Sequence, residues 1–184
     1  MKKISFIIVL IIILVFSFGI QIGNIKIGKF HDFNDSHHKD VQHSVFFNDL
    51  KKNKLIVLNL WATWCEPCIE EIPSLNELQR KYRDKNILFY ALSVDNDSTK
   101  LKNFVKKGIF KFKDITLENI KYRDTILAFL EKKQTGLIKS HSIPKTFVIE
   151  NGRVIKTYNG MLSKVDFKEL DSLLSSKLYK IEKK

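Results

Sequence analysis

Leu55-Ile56-Val57-Leu58-Asn59-Leu60 runs directly into Trp61-Ala62-Thr63-Trp64-Cys65-Glu66-Pro67-Cys68. The first six residues are almost wholly apolar, which predicts a short central strand buried on both faces. Beyond the second cysteine, Ile69, Ile72, Leu75, Leu78 and Tyr82 recur at three- and four-residue spacing. That stripe predicts a helix to about residue 82, with Pro73 expected to kink it. The two cysteines therefore lie between a buried strand and a helix start. There, free N–H groups and the positive dipole end stabilise a thiolate, which is the nucleophile of thiol–disulfide exchange. Cys65, the more exposed, is expected to attack a substrate disulfide, and Cys68 to resolve the mixed disulfide. Half a zinc site, completed by His or acidic residues, and an inert structural disulfide are the alternatives.

Working outward, residues 87–93 read as a second strand. Asp95-Asn96-Asp97-Ser98 reads as a turn, with Ser98 as N-cap of a helix to residue 107. Residues 110–113 alternate like a short strand. Tyr122, Ile126, Phe129 and Leu130 form a helical stripe. Ile143-Pro144 precedes a strand at 145–149, and Asn151-Gly152 is a hairpin turn whose return strand covers 154–158. Ser163 and Asp166 resemble a capping box that opens a last helix with Phe167, Leu170, Leu173 and Leu174 on one face. This order specifies an α/β sandwich with a mixed sheet.

The chain has 184 residues, 44% hydrophobic and 28% charged, a globular composition. Two cysteines exclude a disulfide-dense scaffold and a four-cysteine metal site within one chain. Residues 4–25 carry no ionisable side chain, and as a helix that run would reach about 33 Å. It reads as a retained membrane anchor in preference to a cleaved signal, since the best cleavage candidate, Ser17-x-Gly19, is poor. Lys2 and Lys3 would stay inside, placing the rest of the chain outside the cytoplasm. Residues 26–41 read as a polar linker and 42–184 as one domain. Four of the five histidines fall between His31 and His43, where a polar tether is expected over a metal site. The net charge of +12 comes largely from lysine. It lacks the arginine forks and interleaved aromatics of nucleic-acid readers, so no nucleic-acid partner is expected.

Residues 61–68 with Pro73, and Ser142-Ile143-Pro144-Lys145-Thr146-Phe147-Val148, resemble the active-site segment and the cis-proline loop of the thioredoxin superfamily. The Cys-Glu-Pro-Cys motif and the apolar N-terminus are most similar to membrane-anchored TlpA/ResA-type thiol–disulfide oxidoreductases. The resemblance implies a thioredoxin-like three-layer sandwich behind an N-terminal transmembrane helix. It implies protein disulfide substrates, apocytochrome c among them, and a membrane thiol electron donor. No cofactor beyond the dithiol and no metal are implied. Pro144 is implied to be cis against the cysteines, with the Ile143 backbone free to pair with a substrate strand. Trp61 and Trp64 are expected to pack around the motif, with Trp64 shielding Cys65, and Pro67 to lie in the first helical turn.

Where many thioredoxins bury an acid in the strand before the motif, this chain has Asn59. Proton transfer is then expected to fall to Glu66, water, or an acid after the second strand, where Asp95 and Asp97 flank Asn96. Glu66 beside Cys65 disfavours a second negative charge, which argues for a reductant. A disulfide oxidase or isomerase stays open, as does a non-catalytic thioredoxin-like module that binds metal or a partner. Residues 108–141 exceed what a minimal thioredoxin needs and could cover the sheet or shape a substrate groove.

Overall fold

A computed structural model describes residues 44–52, 55–131 and 141–182. The expected anchor at 1–25, the linker at 26–41 and the histidines from His31 to His43 lie outside the described residues. Among the described residues, no helix is long and apolar enough to cross a membrane.

The chain order is α1 (Val45–Leu50), β1 (Leu55–Trp61), α2 (Glu66–Tyr82), β2 (Ile87–Ser93), α3 (Ser98–Val105) and β3 (Lys113–Asp114). A 3-10 segment (Leu117–Tyr122), α4 (Arg123–Glu131), β4 (Lys145–Glu150), β5 (Arg153–Asn159) and α5 (Lys164–Glu182) follow. The five strands form one sheet in the order β3-β2-β1-β4-β5. β1 runs parallel to β2 and antiparallel to β4, so the sheet is mixed. Every residue of central β1 is buried, as its apolar run, broken only by Asn59, predicts.

Alternating residues of the strands feed two cores, one on each face. Ile56, Leu58, Leu60, Phe147 and Ile149 pack against α1 and α4. Leu55, Val57 and Val148 pack against α2 and α5 through Leu75, Leu78, Leu170 and Leu174. The result is three layers, helices on both sides of the sheet. Asn151 and Gly152, at φ 51° and 72°, make the tight β4–β5 turn.

Three details differ from the sequence reading. The N-cap of α3 is Asp97, not Ser98: its carboxylate accepts from the N–H groups of Thr99 and Lys100, both at 2.9 Å. Only Lys113 of the alternating 110–113 stretch is in a strand. Phe110 and Phe112 are instead drawn into an aromatic cluster, with Phe110 4.8 Å from the Trp61 ring. The third is α1, which has no counterpart in the sequence reading. Ser44 caps it, and its hydroxyl also donates to Asn119 Oδ1 across 2.5 Å.

Candidate active site

The register of the sheet assembles the site. Leu60 of β1 faces Lys145 of β4, so the Ile143–Pro144 bond lies where β1 ends and the cysteine segment begins. That bond is cis. From β1 the chain turns at residues 62–65, closed by the Cys65 N–H donating to the Ala62 carbonyl at 3.1 Å. Cys65 then stands at the N-cap of α2, and Pro67 in the first turn needs no donor there. Cys65 and Cys68 are joined as a disulfide. Cys65 is 5% exposed and Cys68 fully buried, in a cluster with Trp61, Ala62 and Leu101 that Ile143 covers.

The two tryptophans part company. Trp61 is fully buried, packed edge-on against Phe110 and at a tilt against Phe104, and its indole N–H donates to Asp114 Oδ2 at 3.0 Å. Burial raises the Asp114 carboxyl above its ordinary range. Trp64 is 62% exposed, so it stands beside Cys65 as an open apolar surface.

The acids expected to move protons occupy different surroundings. Glu66 is exposed in the first turn of α2, where a carboxylate complements the helix dipole. Asp97 is taken up by its capping role. Asp95 is no solvated turn residue but is 4% exposed. Its carboxylate accepts from the Thr63 N–H at 2.8 Å, the Thr63 hydroxyl at 2.7 Å and the Ser93 hydroxyl at 2.6 Å. The Arg123 guanidinium donates to its carbonyl at 2.5 Å. Asp95 thus braces the turn that presents Cys65.

A further acid, absent from the sequence reading, is Glu71. It lies one helical turn after Cys68 on the same buried face and is 3% exposed. Asn59 donates from Nδ2 to Glu71 Oε1 at 2.8 Å and to Thr146 Oγ1 at 3.1 Å, as its register opposite Thr146 allows. The Leu162 N–H donates to Glu71 Oε2 at 2.6 Å. Burial outweighs these hydrogen bonds and pushes the Glu71 carboxyl up from 4.5 to about 7. Asn59 Oδ1 is buried without a hydrogen-bond partner among the described residues. The sequence signal was present: position 71 falls in the stripe formed by Cys68, Ile72, Leu75 and Leu78.

The arrangement combines a dithiol at a helix start with a buried acid that titrates near neutrality. Among the described residues, no group of three or more His, Cys, Asp and Glu is placed to hold a metal ion.

A family model described as Redoxin matches residues 28–174. The thiol-disulfide oxidoreductase ResA of Bacillus thuringiensis subsp. konkukian (strain 97-27) is 33% identical over 122 residues, 64% of this chain and 62% of the relative. The ResA of Bacillus anthracis is 44% identical over 61 residues, 33% of this chain and 35% of the relative. The chain thus spans about three-fifths of the length of the first of these curated relatives. A crystal structure of a thiol:disulfide interchange protein, a thioredoxin family protein from Chlorobium tepidum TLS, matches with a TM-score of 0.53 at 27% identity. That match covers 68% of this chain and 82% of the other.

Proposed function

The chain belongs to the redoxin family, within the thioredoxin superfamily, and from that premise we propose that it is a thiol–disulfide oxidoreductase that reduces protein disulfides through Cys65 and Cys68. The observation that carries the reading is the Cys65–Cys68 disulfide at the N-terminus of α2, beside the cis Ile143–Pro144 bond.

The reduced dithiol begins the cycle. The Cys65 thiolate, at the N-cap, attacks one sulfur of the substrate disulfide; a Cys65–substrate S–S bond forms and the other substrate sulfur leaves as thiolate. The Cys68 thiol then loses its proton and attacks Cys65 Sγ. The Cys65–Cys68 disulfide closes, and the second substrate sulfur leaves with the remaining electron pair. Two electrons pass to the substrate, whose thiolates take up two protons. Glu71, one turn along the same face and half-ionised near pH 7, is placed to hold the proton that Cys68 gives up.

The reading extends to location and partners. Residues 4–25 tether the domain to the membrane with the dithiol outside the cytoplasm; their uncharged run and the preceding Lys2 and Lys3 support this. In that setting a membrane thiol carrier supplies electrons, and apocytochrome c is the candidate substrate that the TlpA/ResA resemblance favours. The test is turnover of insulin disulfides by the full chain with a small thiol as electron source. Turnover that vanishes in Cys65→Ser supports the activity; a chain that turns over no faster than Cys65→Ser contradicts it. A reduction potential well below the glutathione range assigns the direction as reduction, and one near strong oxidants assigns the oxidase instead.

A further inference from the structure

Residues 98–113, from the start of α3 to β3, contain six lysines and no acidic residue. Lys100, Lys102, Lys106, Lys107, Lys111 and Lys113 are all exposed. Of these six, Lys113 is the one with an ion pair to a described residue, Glu118 at 2.7 Å. Lys107 lies 5.2 Å above the Phe104 ring, and Lys111 reaches the Gly108 carbonyl at 3.3 Å. Elsewhere among the described residues, Lys81, Lys145, Lys156 and Lys177 each meet a carboxylate at 2.6 Å or closer.

The same segment is the wall of the redox centre. Its apolar residues, Leu101, Phe104, Val105, Phe110 and Phe112, pack inward on the cluster of Trp61, Cys65 and Cys68. Asn76 of α2 fixes its far end, accepting from the Lys111 N–H and donating to the Ile109 carbonyl, both at 2.7 Å. One side of the segment thus faces the disulfide cluster and the other presents the lysines to solvent. The acids that flank the segment are already engaged: Asp97 caps α3, Asp114 accepts from the Trp61 indole, and Glu118 pairs with Lys113.

We propose that this lysine face is a docking surface for an acidic polypeptide segment that flanks the disulfide to be reduced. The proposal rests on the redox reading above and names a feature of its substrate. Lysine ammoniums are hydrated point charges that attract carboxylates without fixed geometry, which suits varied acidic sequences. The aromatics of the segment are turned inward, leaving no stacking shelf for nucleic-acid bases and no exposed anchor of the hot-spot kind. Attraction here acts at long range and raises the rate of encounter, so it must weaken as salt screens it.

The test uses the full chain and two disulfide peptides identical except for flanking Glu or Gln residues. The expected result is a kcat/KM at least about tenfold higher for the Glu peptide at low salt, shrinking to about twofold at 0.5 M salt. The variant K100Q/K102Q/K106Q/K107Q should lose that preference and keep its rate on the Gln peptide. Equal rates for the two peptides, or a preference that survives either salt or the variant, overturn the proposal. If neither peptide is exchanged, the redox reading fails, and the surface is still decided by titrating the Glu peptide with its cysteines replaced by serine. Amide shifts within residues 98–113 that the variant abolishes support it. No shifts there, or shifts only with phosphatidylglycerol vesicles or single-stranded DNA, overturn it.

Discussion

Replacing Glu71 by Gln tests the electrostatic core of the site. In the folded protein the Glu71 carboxyl titrates at about 7, against an ordinary 4.5, because burial penalises its charge. Below pH 4.5 the group is protonated in both states and burial costs no charge. As pH rises from 4.5 to 7 the unfolded chain gives up this proton first, so stability falls across that window and levels off above it. The gap corresponds to a loss of about 3 kcal/mol, at about 1.4 kcal/mol per pH unit. Glutamine at 71 keeps an acceptor for the Asn59 amide but can turn an NH2 group toward the Leu162 N–H, a mismatch costing roughly 1–3 kcal/mol at every pH. The assay is urea unfolding of the oxidised full chain and of Glu71→Gln at pH 5 and pH 8. Other groups titrate equally in both proteins, so the difference between the two pH dependences isolates Glu71. The wild type should lose about 2–3 kcal/mol more than the variant between the two pH values. Parallel pH profiles, or a wild type that gains on the variant as pH rises, would refute the reasoning.

Two further outcomes follow from the packing around the site. Asn59→Ala removes a donor from both Glu71 and Thr146; it should destabilise the protein by about 1–3 kcal/mol and move the Glu71 titration higher still, read by calorimetry and by the carboxyl carbon shift in NMR. Lys145→Ala strands Glu131, its partner at 2.6 Å with only 15% of that side chain exposed. It should cost about 3 kcal/mol, and K145M/E131L should recover most of the loss, checked by denaturant midpoints.

The sequence carried the path of the chain through the site well, because those elements are set by local pattern. The apolar run 55–60, the helical stripe from Ile69 to Tyr82, the Asn151-Gly152 turn and the Ser163–Asp166 capping box each state their structure within a few residues. What was missed is decided at a distance. Phe110 and Phe112 alternate as a strand would, yet their rings are claimed by Trp61 and each other. Asp95 sits in a turn-rich sequence, and the bonds that make it a buried brace come from Thr63, 32 residues away, and from the guanidinium of Arg123, as well as from nearby Ser93. Asp97 and Ser98 are both good caps, and the backbone chooses the first. The cis state of Pro144 follows from no local signal and was anticipated only through resemblance. Glu71 was legible but overlooked: a charged residue in an apolar helical stripe must be paired or neutralised when it is buried, and here it is partly both.

The most direct test of the account is trapping by the full chain with Cys68→Ala. Lacking the resolving sulfur, this variant should accumulate mixed disulfides through Cys65 with substrate proteins, identified by mass spectrometry and dispersed by excess thiol. The matching Cys65→Ala variant should trap none. Equal trapping by the two variants, or no mixed disulfide from either under conditions where the reduced dithiol is intact, would contradict the assignment of Cys65 as the attacking nucleophile.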